Sequence, residues 1–178
     1  MGVGALEELD SIQLQNATQK DAMDRLIHIG GTLTGHIGDY DAKIRKIYDS
    51  SKEAQLLDTI PGVSYYSAVH IASAVGDIKR FVSDEELASY AGLVPRIYQS
   101  GDTRFDTGLV HGDKQLRRIL VQDANAAVLY SRRFRKLYLR KKRRKGHQRA
   151  IISVARKMVE VIYWILTRGE PYSESYGK

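Results

Sequence analysis

The 178-residue sequence contains no cysteine, only three prolines and no apolar run near the roughly 18 residues that a membrane span needs. Without cysteine, disulfides and thiolate metal sites are excluded, and the chain fits a reducing compartment. The N-terminus has no signal-peptide pattern, so we expect a cytoplasmic protein with no membrane partner. Because proline occurs only at positions 61, 95 and 171, most of the chain is free to form helix.

Positive charge is concentrated in one segment, Ser131 to Arg149, with the sequence SRRFRKLYLRKKRRKGHQR. This segment holds eleven of the 28 Lys and Arg residues and no acidic residue, so the remainder of the chain carries net charge −4. Such a run is typical of proteins that bind a partner with dense negative charge, because Lys and Arg that neutralise phosphates release condensed counterions. The alternative is a solvated basic helix face or a flexible tail.

Apolar residues interrupt the basic run at helical spacing, at Phe134, Leu137 and Tyr138. This pattern favours an amphipathic helix docked on a core rather than a loose tail. The sequence therefore predicts nucleic-acid binding, through DNA or RNA, by the basic side chains of this segment: Arg132, Arg133, Arg135, Lys136, Arg140, Lys141, Lys142, Arg143, Arg144 and Lys145.

The N-terminal region has an apolar seam with alternating steps of three and four residues, typical of a coiled coil or a helix hairpin. The seam consists of Met23, Leu26, Gly30, Leu33, Ile37, Tyr40, Ile44 and Ile47. Two interpretations remain open: a long helix that pairs with a second copy of itself, or two shorter helices with a bend near Gly30 and Gly31. We favour the long arm, and hence a homo-oligomer.

The remaining pattern predicts an all-α fold with three parts: a coiled-coil or helix-hairpin arm (1–52), a helical domain (53–170) and a tail (171–178). Within the domain, Ser83 and Glu86 have the spacing of a capping box, and a last helix over 150–167 has a regular apolar stripe. Residues 93–112 have weak periodicity and predict a long irregular loop, or a short hairpin around Gly101 and Asp102.

Residues 56–71, LLDTIPGVSYYSAVHI, have the pattern of a helix-hairpin-helix motif. In such a motif, backbone N–H groups of the turn and the positive N-terminus of the second helix face a phosphate without reading bases. Gly62, Val63 and Ser64 are the candidate contacts, although the common form of this hairpin has a second glycine where Ser64 stands. A plain helical corner would also use Pro-Gly.

The second candidate site is the loop around Ser100 and Gly101. A serine hydroxyl is a weak nucleophile and needs a base or positive surroundings, and Arg96, Arg104, Arg117 and Arg118 supply positive charge nearby. The five histidines are scattered without ligand spacing, so we predict no metal site in this chain. Mg²⁺ binding by the loop aspartates, Asp102, Asp106 and Asp113, is a weaker alternative.

The sequence resembles the C-terminal domain of the insertion-sequence-110 type transposases, also called DEDD or bridge-RNA-guided recombinases. Three segments in order carry the resemblance: LLDTIPGVSYYSAVHIASAVGDIKRF, DEELASYAGLVPRIYQSGDTRF and GDKQLRRILVQDANAAV. The resemblance implies that Ser100 is the nucleophile on the DNA backbone and forms a covalent DNA–protein intermediate. It also implies that Arg104, Arg117 and Arg118 occupy commonly basic positions, and that residues 23–47 belong to a coiled coil that pairs subunits.

In that family a RuvC-like domain with four acidic ligands holds Mg²⁺, and the resemblance adds DNA and a guide RNA as partners, which places the protein at the nucleoid. The 178 residues contain no RuvC-like region, so we expect this chain alone to be inactive. The loop to Gly112 is shorter than usual, and Val110 and His111 stand where a basic residue is common. The alternatives are a non-catalytic nucleic-acid-binding and dimerising module, as in a truncated element, or a protein–protein scaffold built on the arm.

Overall fold

The computed structural model describes residues 16–100, 103–109 and 112–174. Helices dominate this part of the chain, and a two-stranded antiparallel hairpin interrupts them. In order, the elements are α1 (Ala17–Ser50), α2 (Lys52–Asp58), α3 (Tyr65–Val75), a 3-10 turn (Ile78–Arg80), α4 (Asp84–Tyr90), β1 (Pro95–Ser100), β2 (Thr103–Leu109), α5 (Lys114–Tyr130) and α6 (Arg132–Arg168). The predicted all-α class is confirmed.

Helix α1 is continuous through Gly30 and Gly31, so the alternative of two shorter helices with a bend there is wrong. The arm is a single long helix, and its pairing with a second copy stays a prediction. Thr34 Oγ1 donates to the carbonyl of Gly30 at 2.8 Å, one turn back along the helix. No side chain of α1 is buried. The chain divides into two compact units, up to Lys46 and from Ile47 onward, so the last turn of α1 belongs to the second unit.

Short polar side chains set where the helices of the second unit begin. Ser51, Ser64, Ser83, Asp113 and Ser131 each adopt extended backbone and accept a hydrogen bond from an amide two or three residues further on. Such caps satisfy amides that have no intrahelical partner. The Ser83–Glu86 box forms as expected at the serine, while the Glu86 carboxylate accepts from the amide of Val82, one residue earlier than usual.

Gly146 breaks α6 into two helical segments, which we call α6a (132–145) and α6b (147–168), because its φ of 77° and ψ of 175° are not helical. The predicted last helix is therefore confirmed. The buried side of α6b contains every member of the expected stripe: Ile151, Val154, Met158, Val161, Ile162 and Ile165. α5 and α4 pack on α6, and α2 and α3 pack on each other, so α6b lies at the centre of the core.

Strands β1 and β2 pair as a β-hairpin, the second of the two structures expected for this region. Ile97 pairs with Asp106, Gln99 with Arg104 and Ser100 with Thr103, and the register is irregular between Pro95 and Ile97. Proline lacks an amide hydrogen, which suits it to the first position of a strand. The predicted long irregular loop is therefore mostly strand, and Gly101 and Asp102 lie outside the described residues.

Candidate nucleic-acid interface

The basic side chains of α6a form one continuous charged surface. Eight of its ten Lys and Arg residues are exposed, and Arg133 and Lys141 are half-buried. At 3.6 residues per turn, Arg132, Lys136 and Arg143 lie on the side of the helix opposite Phe134. α6a contains no acidic residue, so no ion pair within this helical segment offsets its positive charge along four turns.

The opposite side of α6a is fixed to the domain by Phe134, which is 0% exposed. Its ring stacks on Tyr172 with centroids 6.4 Å apart. Ser131 Oγ donates to Glu174 Oε1 at 3.2 Å, and Arg133 Nη1 donates to the Glu174 carbonyl at 3.4 Å. The basic run is therefore a docked amphipathic helix, as the apolar spacing predicts. The segment that follows α6b packs against the first turn of α6a.

Side chains on both sides of Gly146 meet across the break. Tyr138 Oη lies 2.9 Å from His147 Nδ1, and the two rings pack edge to face at 5.8 Å. Nine residues of unbroken helix would separate their backbones by about 13 Å, since each residue rises 1.5 Å. The chain thus folds back at Gly146, and α6a and α6b form a helical hairpin.

The predicted helix-hairpin-helix consists of α2, the turn 59–64 and α3. Gly62 has φ 93° and lies against α5: a Cβ at this position would be 2.4 Å from the amide nitrogen of Ala127. Val63 is buried, and its amide donates to the Ile60 carbonyl at 3.0 Å inside the turn. Ser64 is exposed and caps α3, so it is the most accessible of the three candidate contacts.

A buried polar pair joins α3 to α5, and nothing in the sequence pattern indicated it. Ser67 Oγ donates to Asp123 Oδ1 at 2.8 Å, and Asp123 is 3% exposed. Burial raises the pKa of the Asp123 carboxyl to about 6, against a smaller lowering by the Ser67 hydrogen bond. Within the described part of the chain, Asp123 Oδ2 has no hydrogen-bond partner. The isolated occurrence of Asp in a mixed helix gives no sequence signal of burial.

Ser100 is the last paired residue of β1, directly before the two-residue connection to β2. Arg104 pairs with Gln99 in the adjacent register position, and Arg96 lies in the irregular part of the ladder. The hairpin thus places Ser100 at its tip, with Arg104 one position from that tip on the other strand. Val110 and His111 lie outside the described residues.

The two ends of the β-hairpin meet at a tight contact. A Cβ on Gly112 would be 2.4 Å from the amide nitrogen of Gly92, and the amide of Asp113 donates to the Tyr90 carbonyl at 2.8 Å. Arg117 Nη1 donates to the Gly92 carbonyl at 3.4 Å, so one of the two predicted arginines of α5 holds the hairpin base. Arg118, the other, is exposed.

Neither a metal cluster nor a membrane span is found in the described part of the chain. Among residues 16–100, 103–109 and 112–174, no three His, Asp or Glu side chains lie close enough to hold a metal ion. No helix in the same ranges is long and apolar enough to cross a membrane.

Residues 54–139 match the sequence model of the Transposase IS116/IS110/IS902 family. The chain is 32% identical over 141 residues to a transposase for insertion sequence element IS1111A of Coxiella burnetii, covering 76% of this chain and 39% of that relative. It is 34% identical over 126 residues to a pilin gene-inverting protein of Moraxella bovis, covering 68% of this chain and 39% of the relative. A transposase for IS1328 of Yersinia enterocolitica is 35% identical over 103 residues, 57% of this chain and 31% of its own. The chain thus spans well under half the length of these relatives.

Proposed function

Because the chain belongs to the IS116/IS110/IS902 transposase family, we propose that it is the DNA-binding C-terminal part of a transposase or site-specific recombinase acting in DNA transposition. The observation that carries this proposal is the surface of α6a. Eight exposed Lys and Arg side chains lie on a helix whose other side is anchored by Phe134. A fixed array of this kind holds phosphates with little loss of backbone entropy on binding, because the helix is already ordered.

Further groups outside α6a would contact the DNA backbone. Ser64 and the first turn of α3 offer a hydroxyl and a helix N-terminus to one phosphate. Arg104 and Arg118 contribute positive charge near the β-hairpin, while Arg117 acts mainly by holding the hairpin base at Gly92. These contacts position the DNA backbone and read no bases. Recognition of a target sequence would therefore depend on another component, such as a guide RNA that pairs with the DNA.

Ser100 is the nucleophile of the proposed reaction. Its hydroxyl oxygen attacks a DNA phosphorus, an Oγ–P bond forms, and one P–O bond to deoxyribose breaks. The serine proton passes to a base, and the departing deoxyribose oxygen takes up a proton, so the departing strand ends in a hydroxyl. The exchange replaces one phosphoester bond with another, so it needs no external energy source. Positive groups near the tip would stabilise the charge that develops on the phosphoryl oxygens.

The proposed assembly includes an acidic RuvC-like domain, as the family resemblance implies, and Mg²⁺ would be held by that domain. A chain that works on DNA in this way acts at the nucleoid, in the cytoplasm. A second copy is the third partner, because α1 has exposed apolar side chains along its 3-4 seam: Leu26, Leu33, Ile37, Tyr40 and Ile47. Pairing α1 with its copy as a coiled coil would bury this seam.

The first experiment measures binding of the purified chain to duplex DNA and to structured RNA across a salt series. Steeply salt-dependent binding is expected, because affinity that depends on phosphate contacts falls linearly with the logarithm of salt concentration. The slope gives the number of contacts, and the comparison shows which polymer α6a prefers. Absence of binding at low salt would overturn the proposal and leave the scaffold interpretation.

The second experiment supplies a relative's RuvC-like domain in trans with Mg²⁺ and looks for a covalent DNA adduct on a denaturing gel. Ser100→Ala should abolish the adduct and leave DNA affinity unchanged, since Ser100 is expected to act in the covalent step. Ser73→Ala, at an exposed serine of α3, is the matched control and should form the adduct normally. An adduct that survives Ser100→Ala would refute the nucleophile, and DNA binding with no adduct in any variant would favour the non-catalytic module.

A further inference from the structure

A groove of about 340 Å³ lies between the two arms of the α6 hairpin. It is lined by Leu137, Arg140 and Lys141 of α6a and by Ile152, Ser153 and Arg156 of α6b, among others. Its volume is at the lower end of the range of about 300–1,000 Å³ that small-ligand sites occupy. Nothing in the sequence pattern pointed to it, because α6b reads as a plain core helix.

The lining separates into an apolar floor and a cationic rim. Leu93 is buried and Leu137 and Ile152 are half-buried, whereas Arg140 and Arg156 are exposed. The Leu93, Leu137 and Ile152 side chains all line the groove, and none of them carries a polar atom.

The rim keeps a net positive charge after its internal ion pair is counted. Lys157 Nζ donates to Glu160 Oε1 at 2.5 Å, and the groove lining carries three further cations, Arg140, Lys141 and Arg156. Arg156 also lies within electrostatic reach of Glu85 on the first turn of α4, so its charge is partly offset. The groove is thus suited to an anion that also has an apolar face.

We propose that this groove holds one unstacked nucleotide of the nucleic acid that lies on α6a. The phosphate sits between Arg140 and Arg156, and a base face lies against Leu137 and Ile152. The backbone of a paired duplex would contact only the charged rim. An unstacked nucleotide would contact the rim with its phosphate and the apolar floor with its base. The inference rests on the proposed function, because the groove opens next to the α6a surface that would hold the same molecule.

The test compares two short duplexes of equal length, one fully paired and one with a single unpaired nucleotide at its centre, made in DNA and in RNA. The chain should bind the bulged duplex about tenfold more tightly, the scale expected from removing roughly 55 Å² of apolar surface from water. Whether the preference is larger for DNA or for RNA identifies the source of the nucleotide.

Ser153→Phe fills the groove without changing charge and should remove the preference for the bulge, while affinity for the paired duplex stays within about twofold, a surface-substitution effect. Ser153→Ala is its control and should keep the preference. Arg156→Gln should also reduce the preference, whereas Arg168→Gln, an equal change of charge on the same helix outside the groove, should not. Arg156→Gln keeps the test decisive if Ser153→Phe fails to fold.

The outcomes separate this inference from the proposed function. Binding of paired duplex with no preference for the bulge, or a preference that Ser153→Phe leaves intact, would overturn the groove alone. An equal loss of both affinities in Ser153→Phe would show that the groove takes backbone phosphate only, which also overturns it. No binding to any of the four molecules would overturn both.

Discussion

Neutralising part of the α6a surface tests the electrostatic reasoning most directly. The change replaces six consecutive residues, Arg140 to Lys145, with glutamine. Five of the six are exposed and Lys141 is half-buried, so none belongs to the core. Glutamine has a helix propensity close to that of lysine and arginine, so α6a should persist. Phe134, which anchors the helix, is untouched.

The expected size of the effect follows from helix geometry. At about 100° per residue, Arg143 faces away from the domain, and Arg140, Lys142 and Arg144 flank it. A strand lying along this face would contact about three of the six, and each lost phosphate contact lowers the salt slope by about 0.9. The slope should therefore fall by about 2.7. Over a fourfold rise in salt, the unmodified chain should lose about fortyfold more affinity than the variant.

Fluorescence anisotropy with duplex DNA over a salt series measures both slopes, and circular dichroism checks that the helix content is retained. A control variant carries the same change of net charge elsewhere, by neutralising basic residues of α1 and the start of α2: Lys20, Arg25, Lys43, Arg45, Lys46 and Lys52. The control should keep the original slope. Equal slopes for the variant and the unmodified chain, or an equal loss in the control, would refute the reasoning that α6a itself contacts phosphates.

Three further predictions concern the stability of the helical domain that carries α6a. Phe134→Ala should lower the unfolding free energy by about 3–5 kcal/mol in urea titrations, because the side chain is fully buried. Burial raises the pKa of the Asp123 carboxyl from 3.8 in the unfolded chain to about 6 in the folded one, so the protonated carboxyl stabilises the folded state. This contribution of about 3 kcal/mol is fully present below pH 3.8 and is lost as the pH rises through about 6. Asp123→Asn should therefore flatten the pH dependence of stability in this window, and an unchanged slope would show that the carboxyl is not buried. Gly62→Ala should destabilise by about 2 kcal/mol or more, because its Cβ would collide with the backbone of Ala127. Gly38→Ala, in open space on α1, should stabilise by about 0.5–1 kcal/mol, and similar melting shifts in both alanine variants would contradict the packing argument.

Local patterns made most of the helical fold predictable. Serine and aspartate caps, glycine stops and the regular stripe of α6b each depend on neighbours in sequence, so they can be read without tertiary structure. The break at Gly146 was predictable for the same reason. The continuity of α1 was harder, because Gly30 and Gly31 lower helix propensity and predict a bend, whereas the structure keeps a single helix through both residues.

The candidate site was predictable only where it depends on composition. The charge of α6a and the anchoring by Phe134 are visible in one segment. The burial of Asp123 against Ser67, the contact of Gly62 with α5 and the closure at Gly112 join residues far apart in the chain, so no local pattern reports them. The glycine of the predicted phosphate-binding turn illustrates this point, because its lack of a side chain serves close packing against Ala127.

Helix α5 connects the three parts of the candidate interface. Its first turns hold the base of the β-hairpin through Arg117, its middle backs the α2–α3 turn at Asp123 and Ala127, and its end leads through Ser131 into α6a. From Arg117 to Ser131 the helix rises about 21 Å, at 1.5 Å per residue. Each base pair of B-DNA advances the duplex by about 3.4 Å along its axis, so this distance corresponds to about six base pairs. A duplex lying parallel to α5 would therefore extend over about six base pairs between the base of the β-hairpin and α6a, with the α2–α3 turn between them. Because one rigid helix sets these spacings, a change that weakens the packing of α5 should disturb all three contacts together.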